Sequence, residues 1–450
     1  MKKSQSRDFT KGNLWKQIIT FALPLMLSNL LQILFNISDI AVVGKFAEST
    51  TAIGSVGSTT TLVTLFTGFL IGMGSGVNVL VARFFGAKDE RNVRHTVRTA
   101  LVVCLFMGFL ILGIGEGTCK WFLKLLNTKE ELFDGALLYM RIYLLGAPAM
   151  AIYNFGDGIY AAVGNPKKSL TILTSSGVIN VILNLVFVIV FHLDVEGVAI
   201  ASIISQYFSA VCIFVCLIRE TDIFRLDFKG FRIYWSKAKL LLSLGLPAGI
   251  QNAIFQIANL FIQGAINSFD TVYINGNTAA TQIETINYTL LNAFYTAGTS
   301  CISQNFGAGD KKRIRQSYTV AMIYAICLAT LYGAFTITCG KTLLKLFTND
   351  PAVIEAGYYR LFIIGIAYPL APVMDMSLAA SRGLGKTKIP TLIVISGSCI
   401  FRIIWIYTVF AYFKTISSLY FIYLFSWTIT GIAETLYFIH TYKKQTQNFC

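Results

Sequence analysis

Twelve apolar runs, each long enough to cross a bilayer, leave a chain of this kind few folds. They cover residues 15–43, 52–81, 96–123, 133–156, 168–192, 195–218, 240–267, 276–303, 317–346, 352–380, 389–412 and 416–440. A span needs about 20 apolar residues, and the hydrocarbon offers no water to satisfy an open backbone, so helices or closed barrels are the only solutions. Runs this long are helical. Charged residues make up 13% of the chain and hydrophobic ones 55%, where a soluble domain carries roughly 25% charge. The expected fold is an all-α integral membrane protein with twelve transmembrane helices. The first run is too long for the core of a signal peptide and no A-x-A site follows it, so it is expected to stay in the mature protein.

The formal net charge of +15 invites a nucleic-acid reading. Its distribution argues against one, because the basic residues fall in short loops between apolar runs. Of the lysines and arginines, 27 lie on one set of alternate loops and 7 on the other, while Arg141, Arg360 and Arg402 fall within spans. By the positive-inside rule the richer set, which includes both termini, is cytoplasmic. The expected location is the cell membrane, with the lipid bilayer as partner and no nucleic acid.

The chain also repeats itself. Residues 82–94 return at 303–315, an offset of 221, with Phe-Gly-Ala, the following Asp and the last Arg retained. Pro24 with Asn29 and Gln32 returns near Pro247 with Asn252 and Gln256, and Tyr139-Met-Arg141 as Tyr358-Tyr-Arg360. The expected organisation is a six-helix bundle over 1–218, a charged cytoplasmic loop over 219–239 and a second bundle over 240–450. Six is even, so the repeats enter the membrane in the same direction and are parallel.

Within the first run, Asn29, Gln32, Asn36 and Asp39 share one narrow helical stripe. Asp39 has two readings: a buried acid at membrane depth, which is a functional-site candidate by default, or an interfacial residue wetted from outside. Asn252, Gln256, Asn259 and Gln263 form an equivalent stripe in the seventh run. The paired stripes suggest a polar cavity, against the alternative of ordinary bonds to neighbouring helices. Asn180 and Asn184 share a face in the fifth run, and Ser202 follows in the sixth. With Asp39 they are candidates to hold a small hard cation, Na⁺ or a proton. Arg402, too deep to snorkel, is expected to pair with Glu284, the alternative being backbone carbonyls alone. Asp157, Asp375 and Glu434 lie nearer the cytoplasmic ends, where wetting is expected, and Arg141 and Arg360 nearer the outer face, where snorkelling is.

Enzymatic signals are weak. The three histidines form no cluster, the nine cysteines show no C-x-x-C spacing, and Gly385-Lys386-Thr387 lacks the upstream glycine of a phosphate loop. No cofactor and no nucleotide-driven step are expected, so transport would draw on an ion gradient.

Taken together, Phe35-Asn-Ile-Ser-Asp39 through Gly44, Ala82 to Ala87, Gly197 to Ser202, Gln304 to Ala308 and Arg382-Gly-Leu-Gly385 resemble the multidrug and toxic compound extrusion (MATE) family over nearly the whole chain. The resemblance implies two six-helix bundles in a V, exporting cationic or amphipathic compounds in exchange for H⁺ or Na⁺. Asp39, Asn180 and Ser202 match the family's N-terminal cation site, whereas Asn184 stands where a second acid is expected. A single carboxylate holds Na⁺ less well against dehydration, which favours a proton on Asp39. The acid of the seventh run found in another branch is absent, Gln256 being nearest. Phe35, Tyr153, Phe155, Tyr288 and Tyr295 are candidates to line the pocket, with packing as the alternative for each. A lipid-linked oligosaccharide or peptidoglycan-precursor flippase shares the broader architecture, but would be expected to show a strongly basic cavity.

Overall fold

The computed structural model describes residues 6–449 except Glu48, Thr50, Asn127, Gly230 and Asn448, and describes only the backbone of Asn36. Every regular element among the described residues is helical. In the first half, α1 (Leu14–Phe46), α2 (Ala52–Gly86) and α3 (Glu90–Leu125) are single long helices. The fourth run is a pair, α4 (Glu130–Leu144) and α5 (Ala147–Ala162), bent by 49° where Gly146 and Pro148 interrupt the apolar sequence. Next come α6 (Pro166–Leu185), which continues as a π-helical turn over Val186–Val190, and α7 (Val195–Arg219).

The second half opens with α8 (Trp235–Ile266), α9 (Thr271–Gly307) and α10 (Lys311–Leu344). A 3₁₀ turn, Tyr368–Leu370, joins α11 (Pro351–Ala367) to α12 (Ala371–Gly383). The eleventh segment is broken by two π-helical turns, Ile395–Ile400 and Ile406–Phe410, which separate α13 (Lys388–Val394), α14 (Phe401–Trp405) and α15 (Ala411–Phe413). The chain closes with α16 (Ile416–Gln445). Each of the twelve apolar runs thus corresponds to a helical segment. Ten are long and apolar enough by themselves to cross a membrane, and the bent pair makes an eleventh. The remaining helix, α9, is also the longest at 37 residues and carries Asn277, Glu284 and Asn287 along its length.

The sequence repeat has a local physical cause. Asp89 and Asp310 are N-caps, accepting from the backbone N–H of Asn92 and Arg313 respectively, so each satisfies a donor that a helix start leaves open. The residue before each cap is left-handed, with φ of 55° at Lys88 and 75° at Gly309. Glycine adopts this at no steric cost; a lysine does not.

The helices form two compact units, one made of Met1–Asp8 with Leu27–Ala253, the other of Phe9–Met26 with Ile254–Cys450. Both α1 and α8 therefore give their two ends to different units. In each helix the change follows an internal proline, Pro24 or Pro247, which lacks the N–H that would continue the ladder.

In the first unit, α2 and α5 approach so closely that a Cβ on Gly158 would lie 2.5 Å from the Gly74 carbonyl oxygen. Around that contact Met73, Val77, Phe155, Ile159 and Ile213 form a buried core. The charged loop after α7 is fastened to α3: Arg98 pairs with Asp227 at 3.3 Å, Tyr234 N–H donates to Thr99 Oγ1, and the Tyr234 ring stacks on His95. In the second unit, Gly333 of α10 and Gly365 of α11 approach as closely, a Cβ on Gly333 falling 2.4 Å from the Gly365 carbonyl oxygen. Phe9 is fully buried there. Its N–H donates to Gln304 Oε1 at 2.9 Å and its carbonyl accepts from Arg313 Nη2 at 2.7 Å. That is why the second copy of the repeated loop departs from the first, with Gln304-Asn305 standing where Arg83-Phe84 stand.

Candidate functional site

Three helices of the first unit bring four of the predicted residues together. Asp39, near the end of α1, accepts from Asn184 Nδ2 at 2.5 Å on Oδ1 and from Ser202 Oγ at 3.5 Å on Oδ2. Asn180, one turn before Asn184 on α6, donates through Nδ2 to Ser202 Oγ at 3.4 Å, and its own Oδ1 accepts from Asn184 at 3.4 Å. The i, i+4 spacing puts both amides on one face of α6, and Ser202 projects from the neighbouring α7. Asn180, Asn184 and Ser202 are all buried and Asp39 is half-buried, so its carboxylate is held by neutral groups.

One detail points to a ligand. Asn184 Oδ1 is buried with no hydrogen-bond partner among the described residues, beside a carboxylate and a second amide oxygen. Leaving a buried acceptor unmatched costs about 1–3 kcal/mol. Three side chains offering oxygen at one point are a donor set suited to a hard cation, or to a proton carried on the acid. The arrangement fits the cation candidates.

Two tyrosines join the setting that sequence reading did not assign to it. Tyr139 and Tyr143 of α4 stack with ring centroids 5.8 Å apart and lie within the electrostatic reach of Asp39. Their four-residue spacing along α4 was the available signal, but nothing in the sequence aims that face at α1.

The residues of the two polar stripes are more dispersed. Phe35 packs on α6, where a Cβ at Gly177 would collide with its ring. Asn29 is half-buried, Gln32 exposed, and Asn252 donates to the Gly68 carbonyl at 2.9 Å, all in the first unit. Gln256 and Asn259, half-buried and exposed, belong to the second unit. The side chain of Asn36 lies outside the described residues. Phe155 is a core residue with no exposed surface.

The expected Glu284–Arg402 pair is corrected. Glu284 of α9 pairs with Arg360 of α11 in a two-pronged ion pair, at 2.7 Å from Nε and 2.8 Å from Nη2, while Arg360 Nη1 donates to Asn277 Oδ1 at 2.7 Å. Arg360 is 2% exposed, so it does not snorkel. Depth along the chain had placed Arg360 near the surface, but the contact between α9 and α11 encloses it. Its repeat counterpart Arg141 does stay half-exposed, 3.8 Å from Glu116. Arg402 instead donates through Nε to Ser426 Oγ at 3.2 Å and lies over the Tyr423 ring at 4.7 Å. Glu434, expected to be wetted, is fully buried because α12 covers that face of α16.

Comparison with known proteins is consistent with this organisation. The MatE family model matches residues 24–186 and again 247–408, once in each half of the repeat. The probable multidrug resistance protein YpnP of Bacillus subtilis is 27% identical over 372 residues, covering 81% of this chain and 82% of its own. The multidrug export protein MepA of Staphylococcus aureus is 20% identical over 417 residues, 90% of each chain. A FAD transporter of Shewanella oneidensis is 22% identical over 370 residues, 80% of this chain and 81% of its own. Among solved structures, the outward-facing conformation of a multidrug resistance MATE family transporter superposes with a TM-score of 0.91 at 19% identity, over 99% of this chain and 100% of that one. At that identity the likeness speaks for the fold. Since the family model matches both halves of the repeat, the chain belongs to the MatE family of multi-pass membrane transporters.

Proposed function

We propose that this protein is a secondary active efflux transporter. It exports cationic or amphipathic small molecules across the cell membrane in exchange for H⁺ or Na⁺, by alternating access, with both termini cytoplasmic. The observation that carries the reading is the Asp39 cradle, a lone carboxylate held by Asn184, Asn180 and Ser202 with an unmatched amide oxygen beside it. The multidrug relatives support small molecules as cargo, and the basic loops support the orientation.

The cation enters the cradle from outside and neutralises Asp39, which removes the cost of a bare charge at membrane depth. That change favours release of the exported compound outside, and the cation then leaves on the cytoplasmic side. One carboxylate among neutral donors supplies little charge to replace the hydration shell of Na⁺, so the proton is the favoured coupling ion.

The test is efflux of a fluorescent cationic dye from proteoliposomes, with pH and Na⁺ gradients imposed separately. Asp39→Asn is expected to abolish gradient-driven efflux at equal protein incorporation, and the gradient that drives the parent names the ion. Undiminished efflux by Asp39→Asn would overturn the mechanism.

A further inference from the structure

Arg402 is 3% exposed, and no carboxylate lies within ion-pair distance of it among the described residues. Its Nε donates to Ser426 Oγ, while its two terminal amino groups bond to no described residue. The rings of Tyr423 and Phe255 flank the guanidinium at 4.7 and 5.8 Å from their centroids. Glu284, the partner expected from the sequence, is engaged by Arg360 through both oxygens. Of the charged groups near Arg402, Asp375 attracts it and Arg360 repels it. A buried cation with unused donors is costly and calls for an anion.

The repeat gives this position a meaning. The helix starts at Asp194-Val195 and Thr415-Ile416 are 221 residues apart, the offset of the whole repeat. The left-handed residues that precede them, His192 and Lys414, are 222 apart. The N-caps that open the two preceding helices, Asn165 and Thr387, are also 222 apart, while the left-handed Gly164 and Gly385 before them are 221 apart, so the additional residue enters in the loop ahead of the helix. At that offset Arg402 stands where Asn180 stands in the first half. In the following helix Tyr423 stands in place of Ser202, and Ser426 in place of Ser205. The second unit thus repeats the frame of the Asp39 cradle with the charge reversed.

We propose that Arg402, oriented by Ser426 and walled by Tyr423 and Phe255, is an anion-accepting subsite for the carboxylate of an exported amphipathic compound. The proposal rests on the efflux reading above and narrows its substrate class. The planar guanidinium offers a carboxylate parallel N–H donors, and the two rings offer an apolar or aromatic body a surface to lie on. Compounds bearing a carboxylate are then recognised in the second unit, separately from the cation at Asp39.

The experiment compares rhodamine B, which carries a carboxylate, with its ethyl ester, which lacks one. Binding to the purified full-length protein is read by fluorescence polarisation, and export by the proteoliposome assay. Arg402→Gln is expected to weaken rhodamine B binding about tenfold or more, the scale of a lost charged hydrogen bond, and to leave the ester within about twofold. Arg402→Lys should fall between. On the parent, benzoate should compete with rhodamine B and not with the ester, a reading that needs no variant to fold. Equal loss of both dyes in Arg402→Gln, loss of neither, absence of benzoate competition, or a parent that binds neither dye overturns the subsite. Discriminating binding without export under either gradient would sink the efflux reading and leave the subsite standing. Export without discrimination would do the reverse.

Discussion

Asp39 and Arg360 are both ionisable groups placed at membrane depth, and the structure treats them differently. Asp39 is surrounded by neutral donors that leave its charge open to a ligand, whereas Arg360 is neutralised by Glu284 and capped by Asn277. The second arrangement is closed, which marks it as structural. Glu284→Gln would leave the arginine buried and unpaired, at a cost of about 3–5 kcal/mol. A lower unfolding temperature in detergent is the expected result. Replacing both partners by apolar residues, Glu284→Leu with Arg360→Met, should cost less than either single change, because no buried charge remains. A double variant less stable than both singles would show the pair to contribute more than mutual neutralisation.

At the scale of elements, the two units rely on the same devices. The close approach of α2 to α5 at Gly74 and Gly158 leaves no room for a methyl group. Gly158→Ala should therefore destabilise by about 1–3 kcal/mol, while Gly113→Ala on the open face of α3, where a Cβ meets nothing, should be neutral or mildly stabilising. Thermal unfolding of the two variants side by side checks the contrast. Bonds from Asn92 hold the Asp89 carboxyl below the usual carboxylate range. A depressed group stabilises the fold above its unfolded value, near 4, and the contribution is lost as pH falls through the lowered value. The protection of the first-turn amides of α3, measured against the intrinsic exchange rate at each pH, should therefore fall in acid, and Asp89→Ala should remove that fall.

For the molecule as a whole, the excess of basic residues on one set of loops predicts that both termini are cytoplasmic. A phosphatase joined to the C-terminus should be inactive and a fluorescent protein there should glow; the opposite pattern would invert the assignment. The helices and their order were legible in the sequence because a bilayer imposes a one-dimensional rule, about 20 apolar residues per crossing. So was the Asp39 cradle in outline, because the four-residue spacing of Asn180 and Asn184 and the isolated acid are local patterns. Hydropathy measures depth along a helix and says nothing of which way a face turns. For that reason Glu284 was matched by depth to Arg402 when α11 in fact brings Arg360 to it, and Glu434 was placed in water when α12 covers it. The sequence by itself determined the helical class and the repeat, both of which follow from local composition and spacing. Only the tertiary structure decided which charges meet, which are left open at membrane depth, and that the second half carries an arginine in the frame where the first carries its cradle, because those depend on contacts between residues far apart in the chain.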